Sequence, residues 1–225
     1  GWTETSGEDH STSILRRLII SRLGDLGYEP VLVEGKRLFS QLVIGNTSDI
    51  LPDLVQAVLS MCVKHGGREE YNLVKKLFET SELEELQGNC LVAIGCVQDS
   101  ELVKECFDYA LNDNHVRQQD MFRTISSLTD GLRSKIVWDC IVENWTTICD
   151  KFQGGKYLFG KIITAPLTSM YDRELINNAT LFLNDKNSDV EDMKRTIDQS
   201  LEQVTNSIEW FERDSSDVVA FFESL

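Results

Sequence analysis

Three histidines are the first residues to consider for chemistry, because imidazole can serve as a metal ligand or as a general base near neutral pH. They stand at positions 10, 65 and 115, far apart in the chain. None has a second histidine within helical reach, so the His-Glu-x-x-His zinc signature is missing. A hydrolytic zinc site needs about three protein ligands. We therefore interpret His10, His65 and His115 as surface or capping residues.

Motifs for nucleophilic or nucleotide chemistry are also missing from the sequence. No Gly-x-Ser-x-Gly elbow occurs, and Gly154-Gly155 is not followed by the Lys-Ser or Lys-Thr of a phosphate-binding loop. The acidic pairs Glu69-Glu70 and Glu84-Glu85 are adjacent in sequence, so their side chains diverge on a helix. We interpret them as solvated faces. The residues alone predict no self-sufficient enzyme.

Six cysteines are the remaining reactive side chains, and most fall at apolar positions of predicted helices. No Cys-x-x-Cys pair occurs. Buried reduced thiols are the favoured interpretation, with disulfides and metal ligation as the alternatives. Reduced thiols suggest a reducing compartment, so we expect a cytoplasmic location. No run of 18 apolar residues and no signal peptide is present, so we expect no transmembrane helix. The chain begins with Gly1 rather than methionine, so we expect a piece of a longer protein.

The net charge of −15, from 22 basic and 37 acidic residues, narrows the choice of partners. Nucleic acid requires a basic face, and anionic membrane surfaces attract basic segments, so neither partner is expected. The plain interpretation is that the charge keeps the protein soluble. The sharper alternative is an acidic surface that attracts basic peptides.

The elements that must position any site are helices. Apolar residues recur at helical period, two-residue alternation is rare, and only three prolines occur in 225 residues. Helix pairs recur about every 35–40 residues, the length of a two-helix repeat. The sequence predicts an all-α protein: one domain over residues 1–225, built as a curved, HEAT/armadillo-like α-α superhelix of antiparallel helix pairs with a concave face.

The stretch 115–155 is the expected packing centre. It predicts a helix over 117–129, a break at Asp130-Gly131 and a second helix over 132–151. Trp138 and Trp145 lie on the apolar face of the second helix. We interpret them as core residues, with peptide stacking as the alternative.

The two ends of the chain carry further helical patterns. In the first helix the expected inner stripe is Ile14, Leu15, Leu18, Ile19 and Leu23, with the arginines at 16, 17 and 22 on the other side. Near the C-terminus a long amphipathic helix is expected through Phe211. A separate short helix should then begin at Ser215 or Ser216 and end near Phe222.

Four patches along the chain carry a resemblance to a known family. They are Gly1-Trp2 followed by residues 14–19 and 23–28; Val116-Arg117-x-Gln119-Asp120; Trp138 with Glu143-Asn144-Trp145 and Phe152-x-Gly154-Gly155; and Asn206-x-Ile208-x-Trp210 with Arg213-Asp214. In order and spacing they resemble the C-terminal helical domain of the gluzincin zinc aminopeptidases.

The resemblance implies a parent enzyme that removes N-terminal residues from peptides. The family's Gly-x-Met-x-Asn and His-Glu-x-x-His motifs belong to an upstream catalytic domain, and neither occurs in this chain. Zinc would therefore be held by that domain and by no residue of this chain. The implied partners are the upstream catalytic domain of the same polypeptide and peptide substrates. The implied role is a helical wall that closes a substrate chamber.

Three basic residues are candidates for contact with a peptide in that chamber. Arg117 lies in the Val-Arg-x-Gln-Asp patch and would meet a peptide carboxylate; Arg133 and Lys135 are weaker candidates of the same kind. The structural alternative is that Arg117 bonds helix-end carbonyls while Asp120 caps the following helix. At the level of the whole chain, the alternative is a stand-alone helical-repeat scaffold that binds peptides or proteins on its concave face.

Overall fold

The structure is a computed structural model that describes residues 1–224 of the 225-residue chain. Those residues contain thirteen α-helices, two short 3-10 helices and no β-strand, which confirms the predicted all-α class. They divide into two compact units, Gly1–Leu128 and Thr129–Leu225. No helix in the described part of the chain is both long enough and apolar enough to cross a membrane.

The first unit contains seven α-helices among its described residues. They are α1 (His10–Asp25), α2 (Glu29–Val43), α3 (Val55–His65), α4 (Arg68–Thr80), α5 (Glu84–Ile94), α6 (Ser100–Leu111) and α7 (Met121–Leu128), with a 3-10 turn at Pro52–Leu54. Helix α3 packs against α1, α2, α4 and α5. Its residues Val58 and Leu59 are fully buried, so α3 forms the centre of this core.

Helix α1 presents a different face to this core from the one expected. Ile20 and Gly24 are buried, whereas the apolar residues of its outer face remain about half exposed. Gly24 packs closely on α3, since a Cβ at this position would lie 2.7 Å from the Cε of Met61. The inner-stripe prediction is therefore wrong for four residues, Ile14, Leu15, Leu18 and Ile19. It is also wrong for Arg16, whose side chain is only 7% exposed and pairs with Glu8.

Helices α5 and α7 approach each other closely where α5 ends. A Cβ added to Gly95 would lie 2.5 Å from the carbonyl oxygen of Thr124, closer than packed atoms allow. The Thr124 hydroxyl, itself buried, donates to the Leu91 carbonyl at 2.9 Å. Glycine at position 95 thus permits the contact, and the hydrogen bond fixes α7 against α5.

The second unit contains six α-helices among its described residues. They are α8 (Arg133–Glu143), α9 (Trp145–Lys151), α10 (Lys156–Leu167), α11 (Arg173–Asp185), α12 (Asn187–Val190) and α13 (Lys194–Glu223), with a 3-10 turn at Glu191–Met193. Helix α13 packs on α10 and α11, and α10 also packs on α8.

Aromatic side chains fill the core of the second unit. Trp138 and Trp145 are 4% and 5% exposed, and each meets the ring of Phe182 edge to face, at 6.0 and 5.0 Å. Phe152 and Phe159 stack 6.3 Å apart beside them. The interpretation of both tryptophans as core residues is confirmed, and their rings are covered by neighbours.

Two predicted helix boundaries in this unit are wrong. The helix expected over 132–151 is divided at Asn144, which has φ −103° and ψ 17°. Its side-chain amide donates to the Cys140 carbonyl at 2.9 Å, a local bond that competes with helix hydrogen bonding. Near the C-terminus, the two expected helices are one helix of 30 residues, since no glycine or proline interrupts residues 194–223.

Candidate functional site

Arg117 lies in the connection between α6 and α7 of the first unit, where its backbone carbonyl accepts hydrogen bonds from the amides of Asp120 and Met121. Its guanidinium Nε donates to Asp120 Oδ2 at 2.9 Å, and its Nη1 lies 3.4 Å from Glu84 Oε1. The side chain is 59% exposed. The hydrogen bond with Asp120 raises the pKa of Arg117 above its ordinary value, so the group stays charged.

Asp120 is the residue that organises this cleft. Its side chain is 14% exposed and lies between two guanidinium groups, because Arg123 Nε is 3.4 Å from the second carboxylate oxygen. The structural alternative has Arg117 bonding helix-end carbonyls and Asp120 capping the following helix. In the structure, the Arg117 side chain instead bonds carboxylates, and the Asp120 carboxylate accepts from two arginines. The spacing Arg117-x-x-Asp120-x-x-Arg123 is visible in the sequence. This spacing identifies Arg123 as a third member of the cluster.

A cleft of about 470 Å³ opens beside these residues. Its lining includes Glu84 and Gln87 of α5, His115 and the two arginines. The His115 ring is stacked on Tyr109, with centroids 4.7 Å apart. We interpret this ring contact as a packing role for His115. Guanidinium groups offer planar sets of N–H donors that match a carboxylate. Glu84 and Asp120 also line the cleft, so an acidic group would bind only through the guanidinium N–H donors that these two carboxylates leave available. The cleft brings together no nucleophile with a base.

Lys135 lines a separate cleft of about 480 Å³ in the second unit, at the start of α8 and the start of α11. Its ammonium is 2.7 Å from Asp139 Oδ2, and the side chain is 61% exposed. Ser134 forms part of the lining with a buried hydroxyl that has no hydrogen-bond partner among the described residues. The carboxylate of Asp172 caps α11 at the rim by accepting from the amides of Glu174 and Leu175.

Arg133 is placed differently from the other two candidates. Its side chain is 7% exposed, with Nη2 3.4 Å from Asp130 Oδ2 and Nε donating to the Asp130 carbonyl at 3.3 Å. Arg117 belongs to the first unit, whereas Arg133 and Lys135 belong to the second. A role in peptide contact stays a prediction for all three residues.

The histidines and cysteines occupy structural positions. His65 Nε2 lies 2.8 Å from the Gly24 carbonyl at the end of α1. The six cysteines carry thiols rather than disulfides, and burial raises the pKa of Cys62 and of Cys90 to about 12. Within residues 1–224, no three His, Cys, Asp or Glu side chains form a group that could hold a metal ion.

Comparison with known proteins gives these features a context. Residues 1–206 match the family described as the ERAP1-like C-terminal domain. Aminopeptidase M1-A of Oryza sativa subsp. japonica is 25% identical over 216 residues, which cover 94% of this chain and 24% of that protein. Puromycin-sensitive aminopeptidase of Caenorhabditis elegans is 26% identical over 155 residues, 68% of this chain and 16% of that protein.

Aminopeptidase N of Homo sapiens is similar to the chain at the same level, with 24% identity over 179 residues, 79% of this chain and 18% of that protein. The chain thus spans between about a sixth and a quarter of the length of these relatives. The resemblance inferred from the four sequence patches is confirmed. With a family match over 206 of its residues, this chain belongs to the ERAP1-like C-terminal domain family of aminopeptidases.

Proposed function

We propose that this chain is the C-terminal substrate-chamber domain of a zinc-dependent aminopeptidase that removes N-terminal residues from peptides. The observation that carries the proposal is the family match over residues 1–206, combined with a sequence that lacks His-Glu-x-x-His and Gly-x-Met-x-Asn. Zinc and the catalytic groups would belong to an upstream domain of the same polypeptide. The chain alone would then be inactive. The parent enzyme would be cytoplasmic.

The arginine cleft supports a role in peptide contact. Arg117 and Arg123 share the carboxylate of Asp120 and still offer further N–H donors. A peptide carries one carboxylate at its C-terminus, far from the bond that an aminopeptidase cleaves. We propose that Arg117 receives that carboxylate and that Lys135 contacts the same class of ligand in its own cleft. Arg133 would position the connection that precedes Lys135.

The outer face of α1 supports a partner within the same polypeptide. Ile14, Leu15 and Leu18 are 55%, 52% and 51% exposed along this one helix. Repeat folds cover such terminal faces with a neighbouring element, because one repeat cannot bury its own apolar surface. We propose that upstream residues of the parent enzyme pack here.

The test is hydrolysis of an aminoacyl fluorogenic substrate by the chain alone, by the upstream portion alone and by their mixture. We expect no hydrolysis by the chain and increased hydrolysis by the mixture relative to the upstream portion. Hydrolysis by the chain alone would contradict the proposal. A mixture no more active than the upstream portion, with binding of the two shown by sedimentation, would contradict a role in activity and favour the scaffold alternative.

A further inference from the structure

The last four turns of α13 carry an apolar face that the described residues leave uncovered. Along this helix, positions 197, 201, 204, 208, 211, 215, 218 and 222 follow each other at alternating steps of four and three, and all of them except Ser215 are apolar. This is the spacing of a coiled-coil seam. In the first half, Ile197, Val204 and Ile208 are 3%, 1% and 5% exposed. The seam there is the part that packs on α10 and α11.

The second half of the same seam is exposed to solvent. Phe211, Val218 and Phe222 are 61%, 40% and 67% exposed, and Phe221 and Val219 beside them are 60% and 53% exposed. No described residue after Ile208 is buried. At about 1.5 Å per residue, residues 209–223 form roughly 22 Å of helix with this apolar face. We name residues 209–223 the α13 tail.

Negative charge is concentrated in the α13 tail. Five carboxylates and one guanidinium, those of Glu209, Glu212, Asp214, Asp217, Glu223 and Arg213, lie in the α13 tail. The first half, residues 194–208, contains two basic and two acidic residues and is neutral. Arg173 of α11 pairs with Glu212 at 2.7 Å, at the beginning of the tail. An acidic rim thus borders the apolar face only where that face is uncovered.

We propose that the α13 tail is a docking surface for a basic amphipathic helix of a protein partner. An isolated helix face with a three-four apolar seam is matched best by another helix, whose side chains fit between its own. The acidic rim selects lysine and arginine on both sides of the partner's apolar stripe. The same rim opposes a second copy of this tail, because two acidic rims would meet, and it opposes an anionic lipid surface.

The probe is a synthetic three-heptad helix with leucine at the seam positions and lysine on both flanks, labelled with fluorescein. A second peptide carries glutamate in place of lysine and has the same leucines. Anisotropy at physiological ionic strength measures the binding of each peptide to the whole chain. We expect the lysine peptide to bind at least about tenfold more tightly than the glutamate peptide.

Two sets of variants separate this surface from general attraction to an acidic protein. The triple variant F211S/V218S/F222S keeps every charge, and we expect it to weaken binding of the lysine peptide at least about tenfold. The matched control L26S/I44S changes side chains that are 82% and 74% exposed in the first unit, and should bind as the unmodified chain does. The double variant E212K/D214K replaces two carboxylates of the rim with ammonium groups. We expect it to bind the glutamate peptide more tightly than the lysine peptide.

Three results would overturn the proposal. Equal binding of the lysine peptide by the unmodified chain and by F211S/V218S/F222S would show charge attraction without a docking face. Loss of binding in L26S/I44S to the same extent would show that any exposed apolar residue suffices. Sedimentation of the unmodified chain as a dimer that F211S/V218S/F222S dissociates would assign the face to a second copy. Circular dichroism of each variant checks that the fold is retained.

Discussion

Trp145 donates its indole N–H to the carboxylate of Asp189 at 2.9 Å, which joins α9 to α12 across the second unit. Trp145 is 5% exposed. This hydrogen bond therefore satisfies the indole N–H, the one polar group of an otherwise apolar side chain. A buried donor that loses its acceptor costs more than the bond itself contributes. The pair is therefore a sensitive point of the second core.

Replacing the acceptor tests this relationship. We expect Asp189→Ala to lower the free energy of unfolding by about 1–2 kcal/mol, because the indole N–H is left without its partner. Asp189→Asn keeps an oxygen acceptor and should cost less than half as much. Chemical denaturation followed by circular dichroism measures both. Equal stability of Asp189→Ala and the unmodified chain would show that water replaces the carboxylate without loss.

The close approach of α5 to α7 predicts opposite effects for two glycines. Gly95→Ala places a methyl group 2.5 Å from the Thr124 carbonyl oxygen, so we expect a loss of about 1–3 kcal/mol as the helices separate. Gly88→Ala, inside α5, meets nothing nearer than Arg123 Nη1 at 3.7 Å. It should stabilise the protein by about 0.5–1 kcal/mol, since alanine favours helix. Thermal unfolding of the two variants compares them directly, and shifts of the same sign would contradict the expectation.

Glu8 gives a prediction about acid stability. The hydrogen bond from Arg16 holds the pKa of Glu8 below its ordinary value of 4.5, against partial desolvation. A lowered folded-state pKa stabilises the protein above the unfolded pKa, and the contribution is lost as pH falls through the folded value. We expect Glu8→Gln to reduce the decline in stability below about pH 4.5. Glu69→Gln, on the exposed surface of α4, is the control and should leave the decline unchanged. A steeper decline in Glu8→Gln would reverse the assigned sign.

The arginine cleft predicts a substrate effect in the assembled enzyme. Arg117→Ala should raise KM about three- to tenfold for peptides that end in a free carboxylate, with amidated peptides unaffected, because only the carboxylate pairs with the guanidinium. Arg37→Ala is a matched control, since Arg37 is 50% exposed and pairs with Glu34 at 2.8 Å. Equal changes for free and amidated peptides would indicate a structural role of Arg117.

Metal analysis tests the assignment of zinc to an upstream domain. The histidines lie apart, and His65 is engaged by the Gly24 carbonyl, so we expect the purified chain to retain far less than one zinc per molecule after dialysis. Zinc-binding titration followed by mass spectrometry measures this. One tightly held zinc per chain would contradict it.

The sequence predicted helices and the aromatic core more reliably than it predicted which helix faces are covered. Trp138 and Trp145 are large apolar residues at helical spacing, and burial is their favoured environment. The stripe of α1 is equally regular, yet it is exposed. The face that is buried instead places Gly24 against Met61, a contact with a distant segment that periodicity within one helix cannot indicate.

The candidate site shows the same division. The sequence patch points to Arg117, but the arrangement of Arg117 with Glu84 depends on α5, 33 residues earlier in the chain. Asn144 illustrates a local failure: its amide bond to the Cys140 carbonyl divides a helix whose apolar pattern continues across it. Spacing identifies neighbours within a helix, whereas packing between helices decides what they contact.

The two units are contiguous in sequence, with Gly1–Leu128 complete before Thr129 begins. During synthesis, the amino-terminal unit therefore possesses all of its own helices while the ribosome is still producing the other. Folding of the first unit ahead of the second follows from this order, since its core uses only residues that are synthesised before Thr129.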